Sequence, residues 1–120
     1  MILADTSVWI DFLRGDDDRL AEWLNAGIVA VHPVIIGELA CGTLRSRKSV
    51  LEQLGRLHHV PIVSHDEALH FIDVHRLHGR GLGIVDVYLL ASTFLSGYAR
   101  IETRDKALAE TAGRLGVGSG

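Results

Sequence analysis

Short apolar runs alternate with stretches of helical periodicity along the whole chain, and that alternation constrains its fold more than any other feature. Ile2 to Ala4, Ile28 to Val31, Val60 to Val63 and Tyr98 to Thr103 read as strands. Runs this short and this apolar suit strands buried on both faces. Between them lie amphipathic helices. The first carries Trp9, Ile10 and Leu13, is capped by Thr6 or Ser7 and ends at Gly15. A second carries Leu20, Trp23 and Leu24 after Asp16-Asp17-Asp18, an acidic run that suits a solvated helix cap. Others span Pro33 to Cys41, Ser49 to Leu57, a stretch bearing Leu69, Ile72 and Leu77, Val85 to Leu95, and Asp105 to Leu115. Strands alternating with helices predict an α/β fold, a mainly parallel sheet covered on both faces. Ligands of such sheets sit beyond the carboxyl ends of the strands, where the strand order reverses.

With 120 residues, no repeat and no linker-like stretch, residues 1–120 read as a single domain. The formal charge of −3 advertises no overall basic field for nucleic acid. Cys41 has no partner for a disulfide, which suits a reducing compartment. No basic segment precedes an apolar one at the N-terminus, and the uncharged run from Val87 to Ala99 is shorter than the ~20 residues a bilayer needs. The expectation is a cytoplasmic protein without a membrane partner.

Against this background four acids are misplaced. Asp5 ends the first apolar run. Glu38 has Val34, Ile35, Cys41 and Gly42 one turn away, an otherwise uncharged helix face. Asp86 sits among Leu82, Gly83, Leu89 and Leu90 at the start of the most apolar helix, and Asp105 directly follows the fourth strand. Each has a plain reading as well: Asp5 as a cap, Asp86 and Asp105 as acids at helix N-termini, and Glu38 as a groove residue reaching water. Taken together they place carboxylates at one edge of a parallel sheet. A pair of such charges at 4 Å repels by about 4 kcal/mol at an effective dielectric near 20. Protons or cations must neutralise such a group, and all-oxygen ligation favours Mg²⁺ or Mn²⁺ over zinc. The hydroxyls of Thr6, Ser7 and Thr103 lie within reach to hold carboxylates or waters.

Other motifs carry less. His65-Asp66 lacks the further ligands of a metal-dependent phosphohydrolase, and His75 and His78, one turn apart, lack a third ligand; exposed helix histidines are the simpler reading. Cys41 reads as a small core residue with no basic partner. Gly79, Gly81 and Gly83 are not followed by Lys and Ser or Thr, so they form no phosphate loop and read as a flexible approach to the Asp86 helix. Arg45-Ser46-Arg47-Lys48 is the densest basic cluster, and Arg76, Arg80, Arg100 and Arg104 lie elsewhere. A solvated face and a phosphate track both fit them.

The ordered set DTSVWIDFLRG, GELACG, GIVDVYLLAS and TRDKALAETAGRLGV resembles the PIN-domain ribonucleases, and most nearly the toxins of VapBC toxin–antitoxin pairs. The resemblance covers nearly the whole chain. It implies a three-layer α/β/α sandwich with strand order 3-2-1-4-5. It also implies an acidic quartet at Asp5, Glu38, Asp86 and Asp105, assisted by the Thr103 hydroxyl. The activity implied is Mg²⁺-dependent endoribonucleolytic cleavage leaving 5′-phosphate and 3′-hydroxyl ends. A homodimer is implied too, together with a cognate VapB-type antitoxin whose C-terminal segment crosses the acidic site. Two alternatives stand beside it. A two-component receiver domain has this length, this alternation and an acidic Mg²⁺ site, with Asp66 as its phosphoacceptor. A PIN-like module without catalysis would bind RNA or protein only.

Overall fold

The computed structural model describes all residues, 1–120. Its strands are β1 (Ile2–Ala4), β2 (Val29–Val31), β3 (His58–His59) and β4 (Arg100–Glu102). The helices are α1 (Thr6–Leu13), α2 (Asp18–Asn25), α3 (Pro33–Cys41), α4 (Arg47–Gly55), α5 (His65–His75), α6 (Ile84–Ser96) and α7 (Lys106–Arg114). All strand pairings are parallel, in the order β3-β2-β1-β4. The chain therefore runs outward from β1 through β2 to β3, then returns to the other side of β1 for β4. Right-handed crossovers put α1 to α4 on one face of the sheet and α5 and α6 on the other. Helices on the same side pack together: α1 on α2 and α3, α3 on α4, and α5 on α6.

The expected order 3-2-1-4-5 is met for four strands. The fifth position holds only a bridge, Ile101 opposite Gly118, with the Ile101 amide bonded to Val117 O and the Ser119 amide to Ile101 O. The tail Gly116 to Gly120 has little side chain to pack, and glycine is a poor strand former, so pairing stops there. The third strand lies two residues earlier than the apolar run Val60 to Val63. His58 and His59 make the ladder with Ala30 and Val31 and are exposed, while Val60 and Val63 are buried beyond it. Pro61, which lacks an N–H, ends the pairing.

The core gathers Leu3, Ala4, Val8, Leu20, Val31, Ile35, Leu89, Leu90 and Leu108 around the central strands. Three expectations about single residues are corrected. Asp5, not Thr6 or Ser7, is the N-cap of α1. Cys41 is exposed, because it stands in the last turn of α3 where the helix leaves the core. Asp17 is not solvated but buried, and caps α2 by accepting from the Leu20 amide at 2.8 Å. The receiver alternative fails on topology: that fold orders its strands 2-1-3-4-5, not 3-2-1-4. No helix is long and apolar enough to cross a membrane.

Candidate active site

The reversal of strand order falls between β1 and β4, so the crevice of this sheet opens at their carboxyl ends. Asp5 follows β1 directly, and its amide extends the ladder by donating to Glu102 O at 3.0 Å. Asp5 also caps α1. Its Oδ1 accepts from the Val8 amide at 3.3 Å and from Ser7 Oγ at 2.5 Å, while Oδ2 accepts from Thr103 Oγ1. At 8% exposure this carboxylate is buried, and a buried charge persists only with such donors around it.

The turn after β4 is built the same way. Thr103 Oγ1 accepts from the Asp105 amide at 3.0 Å, and Asp105 caps α7 by accepting from the Ala107 amide at 3.3 Å. Asp86 sits in the first turn of α6, where its Oδ2 accepts from the Gly83 amide at 3.1 Å. Glu38 comes from the middle of α3, exposed, with Oε1 accepting from Thr6 Oγ1 at 2.5 Å. Three of these acids thus play the plain role of helix-terminal anion, and that role is what brings them together: α1, α6 and α7 all begin at this edge.

Their proximity is legible in Asp86. Burial raises its carboxyl above the ordinary value; the Gly83 amide opposes that, and the charges of Asp105, Asp5 and Glu38 add to it. Asp86 therefore feels all three other acids at once. No three His, Cys, Asp or Glu side chains are close enough to hold a metal ion as they stand. Each carboxylate accepts from at least one protein donor. One oxygen each of Glu38, Asp86 and Asp105 accepts no hydrogen bond. In chemistry this donor set fits a hard, oxygen-seeking cation.

Two groups that tie the edge together carry no sequence signal. The Arg104 amide donates to Ser7 Oγ at 3.1 Å. The Arg104 guanidinium spans Asp11 at 3.0 Å and the buried Asp17 at 2.5 Å. The hydrogen bond to Asp11 raises the Arg104 pKa further; burial opposes it, and the charges of Asp17, Asp11 and Glu102 add to the rise. An arginine among polar neighbours looks like surface, and its partners lie 87 and 93 residues away in the chain. The second is His32, buried at the N-terminus of α3, whose Nδ1 accepts from the Val34 amide at 3.0 Å.

The remaining candidates lie elsewhere. Asp66 lines a groove with Val63, His70 and Phe71 on α5 and α6, apart from the four acids. His65 bonds the Tyr88 hydroxyl at 2.6 Å, and His75 packs against Phe71 and Phe94. Arg45 lines a groove of about 660 Å³ that runs from Glu38 along Ile10, Leu13 and Leu44.

The chain matches the PIN domain family over residues 2–114. Ribonuclease VapC32 of Mycobacterium tuberculosis, in two strains, is 49% identical over 117 residues, which cover 98% of this chain and 94% of that protein. The crystal structure of FitAcB from Neisseria gonorrhoeae superposes with a TM-score of 0.64 at 23% identity, over 94% of each chain. That of PAE2754 from Pyrobaculum aerophilum gives 0.63 at 17% identity, over 96% of this chain and 94% of the other. The family match over nearly the whole chain and the 49% identity show the assignment: the chain belongs to the PIN-domain family and, within it, to the VapC type.

Proposed function

We propose that this chain is a divalent-metal-dependent endoribonuclease and the toxin of a toxin–antitoxin pair. One observation carries the reading: Asp5, Asp86 and Asp105 stand at the starts of α1, α6 and α7 at the switch edge of the sheet, with Glu38 tied to that edge through Thr6. Likeness to Ribonuclease VapC32 supports RNA as the substrate. Asp5, Glu38, Asp86 and Asp105 would hold one or two Mg²⁺ ions, with Mn²⁺ as a substitute. Bound there, the cation supplies a water of lowered pKa for in-line attack on phosphorus and offsets charge on the phosphodiester and the leaving oxygen.

The chain's own groups do the rest. Thr103 and Ser7 hold the Asp5 carboxylate in one orientation, so that it needs no rearrangement at the moment of reaction. Thr6 tethers Glu38 through one oxygen and leaves Oε2 free. Asp86 Oδ1 is the place where a proton competes with a cation, since Oδ2 is occupied by the Gly83 amide. No side chain at this edge is needed as a dedicated base.

Total RNA incubated with the protein and Mg²⁺ is expected to gain new 5′-phosphate ends. Excess EDTA, or Asp5→Asn, is expected to abolish them. Equal cleavage under either condition, by protein shown to be folded, sinks the catalytic reading, and no cleavage under any condition favours a binding-only module. A VapB-type antitoxin lying across the same edge, a homodimer and a cytoplasmic location complete the proposal. Co-purification with the product of a neighbouring gene, and the mass of the free protein in solution, test the two partners.

A further inference from the structure

On the far side of Asp105 the acidic edge gives way to a groove of about 500 Å³. Arg80, Lys106 and Arg114 line it together with two acids, Asp105 and Glu110. All three cations are exposed, and none is paired with a carboxylate; the ion pairs of this chain involve only Arg19 and Arg104. In a chain of net charge −3, three unpaired cations in one groove are a local reversal of sign.

Their placement is built. Gly79 and Gly81 adopt φ of +71° and +77°, which lets the loop turn tightly against the start of α7. A Cβ at Gly81 would already touch the Ala107 side chain at 3.6 Å, so Arg80 is delivered beside Lys106. Arg80 Nε donates to Arg76 O at 2.9 Å, and Arg114 Nη2 donates to His75 O at 3.3 Å. Both guanidinium groups are thereby held at the carboxyl end of α5, on its last carbonyl and on that of the capping residue Arg76. This is a capping role in itself, yet it uses one donor of each side chain. Both Nη groups of Arg80, and Nη1 and Nε of Arg114, remain without a protein partner.

Anchored guanidinium groups with free, planar donors suit phosphate oxygens. Of the proposed catalytic quartet Asp105 alone lines the groove, so phosphates lying in it would flank the reacting one. We propose that this groove is the track for the RNA backbone on the Asp105 side of the site, with Arg80, Lys106 and Arg114 neutralising flanking phosphates. The inference rests on RNA being the substrate.

The test is salt-dependent binding of a labelled, mixed-sequence single-stranded RNA in EDTA, where no cleavage interferes. Arg80→Gln with Arg114→Gln is expected to weaken binding roughly tenfold and to flatten the slope of log K against log salt by about 1.4, or 0.7 per lost contact. Arg80→Lys with Arg114→Lys keeps the charge while losing the carbonyl anchors, and is expected to retain most of the wild-type slope. An unchanged slope in the glutamine protein overturns the proposal, as does an equal loss in both double variants or no RNA binding by the wild type. Failure of the nuclease reading looks different: the slope falls as expected, but the wild type leaves RNA intact with Mg²⁺.

Discussion

Thr103 and Asp5, 98 residues apart in the chain, are joined by a hydrogen bond across the carboxyl ends of β4 and β1. The bond does two things at once: it satisfies a buried carboxylate oxygen, and it ties the turn bearing Asp105 to the turn bearing Asp5. Asp5 is both a helix cap and a member of the acidic edge, so its two roles separate by substitution. Asp5→Asn keeps a good capping side chain, and stability is expected to change little while cleavage falls at least a hundredfold. Asp5→Ala loses the cap and is expected to cost about 1–2 kcal/mol in addition. Thermal melts beside RNA cleavage by both variants check this; an asparagine protein that cleaves normally defeats it.

Asp86 makes the opposite demand on stability. Its carboxyl is raised in the folded chain, so folding penalises the charged form. That contribution is complete below the ordinary carboxyl value of 3.8 and is lost as pH rises through the folded value. At neutral pH Asp86 therefore destabilises the fold, and Asp86→Asn is expected to raise the melting temperature by a few degrees, a gain that vanishes near pH 3.5 or below. Mg²⁺ should raise the melting temperature of the wild type by offsetting the same repulsion, and do so far less for the variant. A variant melting lower than wild type at pH 7 contradicts this account.

How much of this was legible beforehand depends on where each residue's partner lies. The strand β1 and the helices α6 and α7 follow from apolar runs and capping acids that are local in sequence. β3 was misplaced because an apolar run marks burial, not pairing: His58 and His59 make the ladder at the exposed edge, while Val60 and Val63 turn inward past it. Glu38 and Asp86 stood out as acids among apolar neighbours. Asp17 did not, since a run of aspartates looks solvated and the arginine that compensates its burial comes from the other end of the chain. Cys41 erred the other way, its apolar neighbours hiding the fact that α3 ends at the surface.

Arg104 is expected to matter as a positioning residue. It closes the β4–α7 turn onto α1 and α2, and without it the Asp17 side chain, only 4% exposed, loses its counterion. Since Arg104 is itself 43% exposed, the cost of Arg104→Gln is discounted to about 1–2 kcal/mol. Cleavage is expected to fall about tenfold through displacement of Asp105 and Asp5, with kcat affected more than KM. Combining it with Asp17→Asn, which keeps the cap but removes the stranded charge, should lose less stability than the sum of the single changes. Strict additivity in that cycle denies the pair its role.

His32 ties α3, and with it Glu38, to pH. It is 3% exposed, its Nδ1 accepts from the Val34 amide, and its buried Nε2 finds no partner. Burial first, and the neighbouring charge of His59 second, lower its pKa below 6.5. A depressed histidine favours the neutral ring, so the stability it contributes is present above 6.5 and is lost as pH falls through the folded value. Protonation would also place a proton on Nδ1, where the Val34 N–H already points, and so undo the cap of α3. The wild type is therefore expected to lose stability to denaturant between pH 7.5 and 5.5. In His32→Asn an uncharged cap replaces the ring, and the loss should be much smaller. An equal loss in both proteins would assign the pH response to a group other than His32.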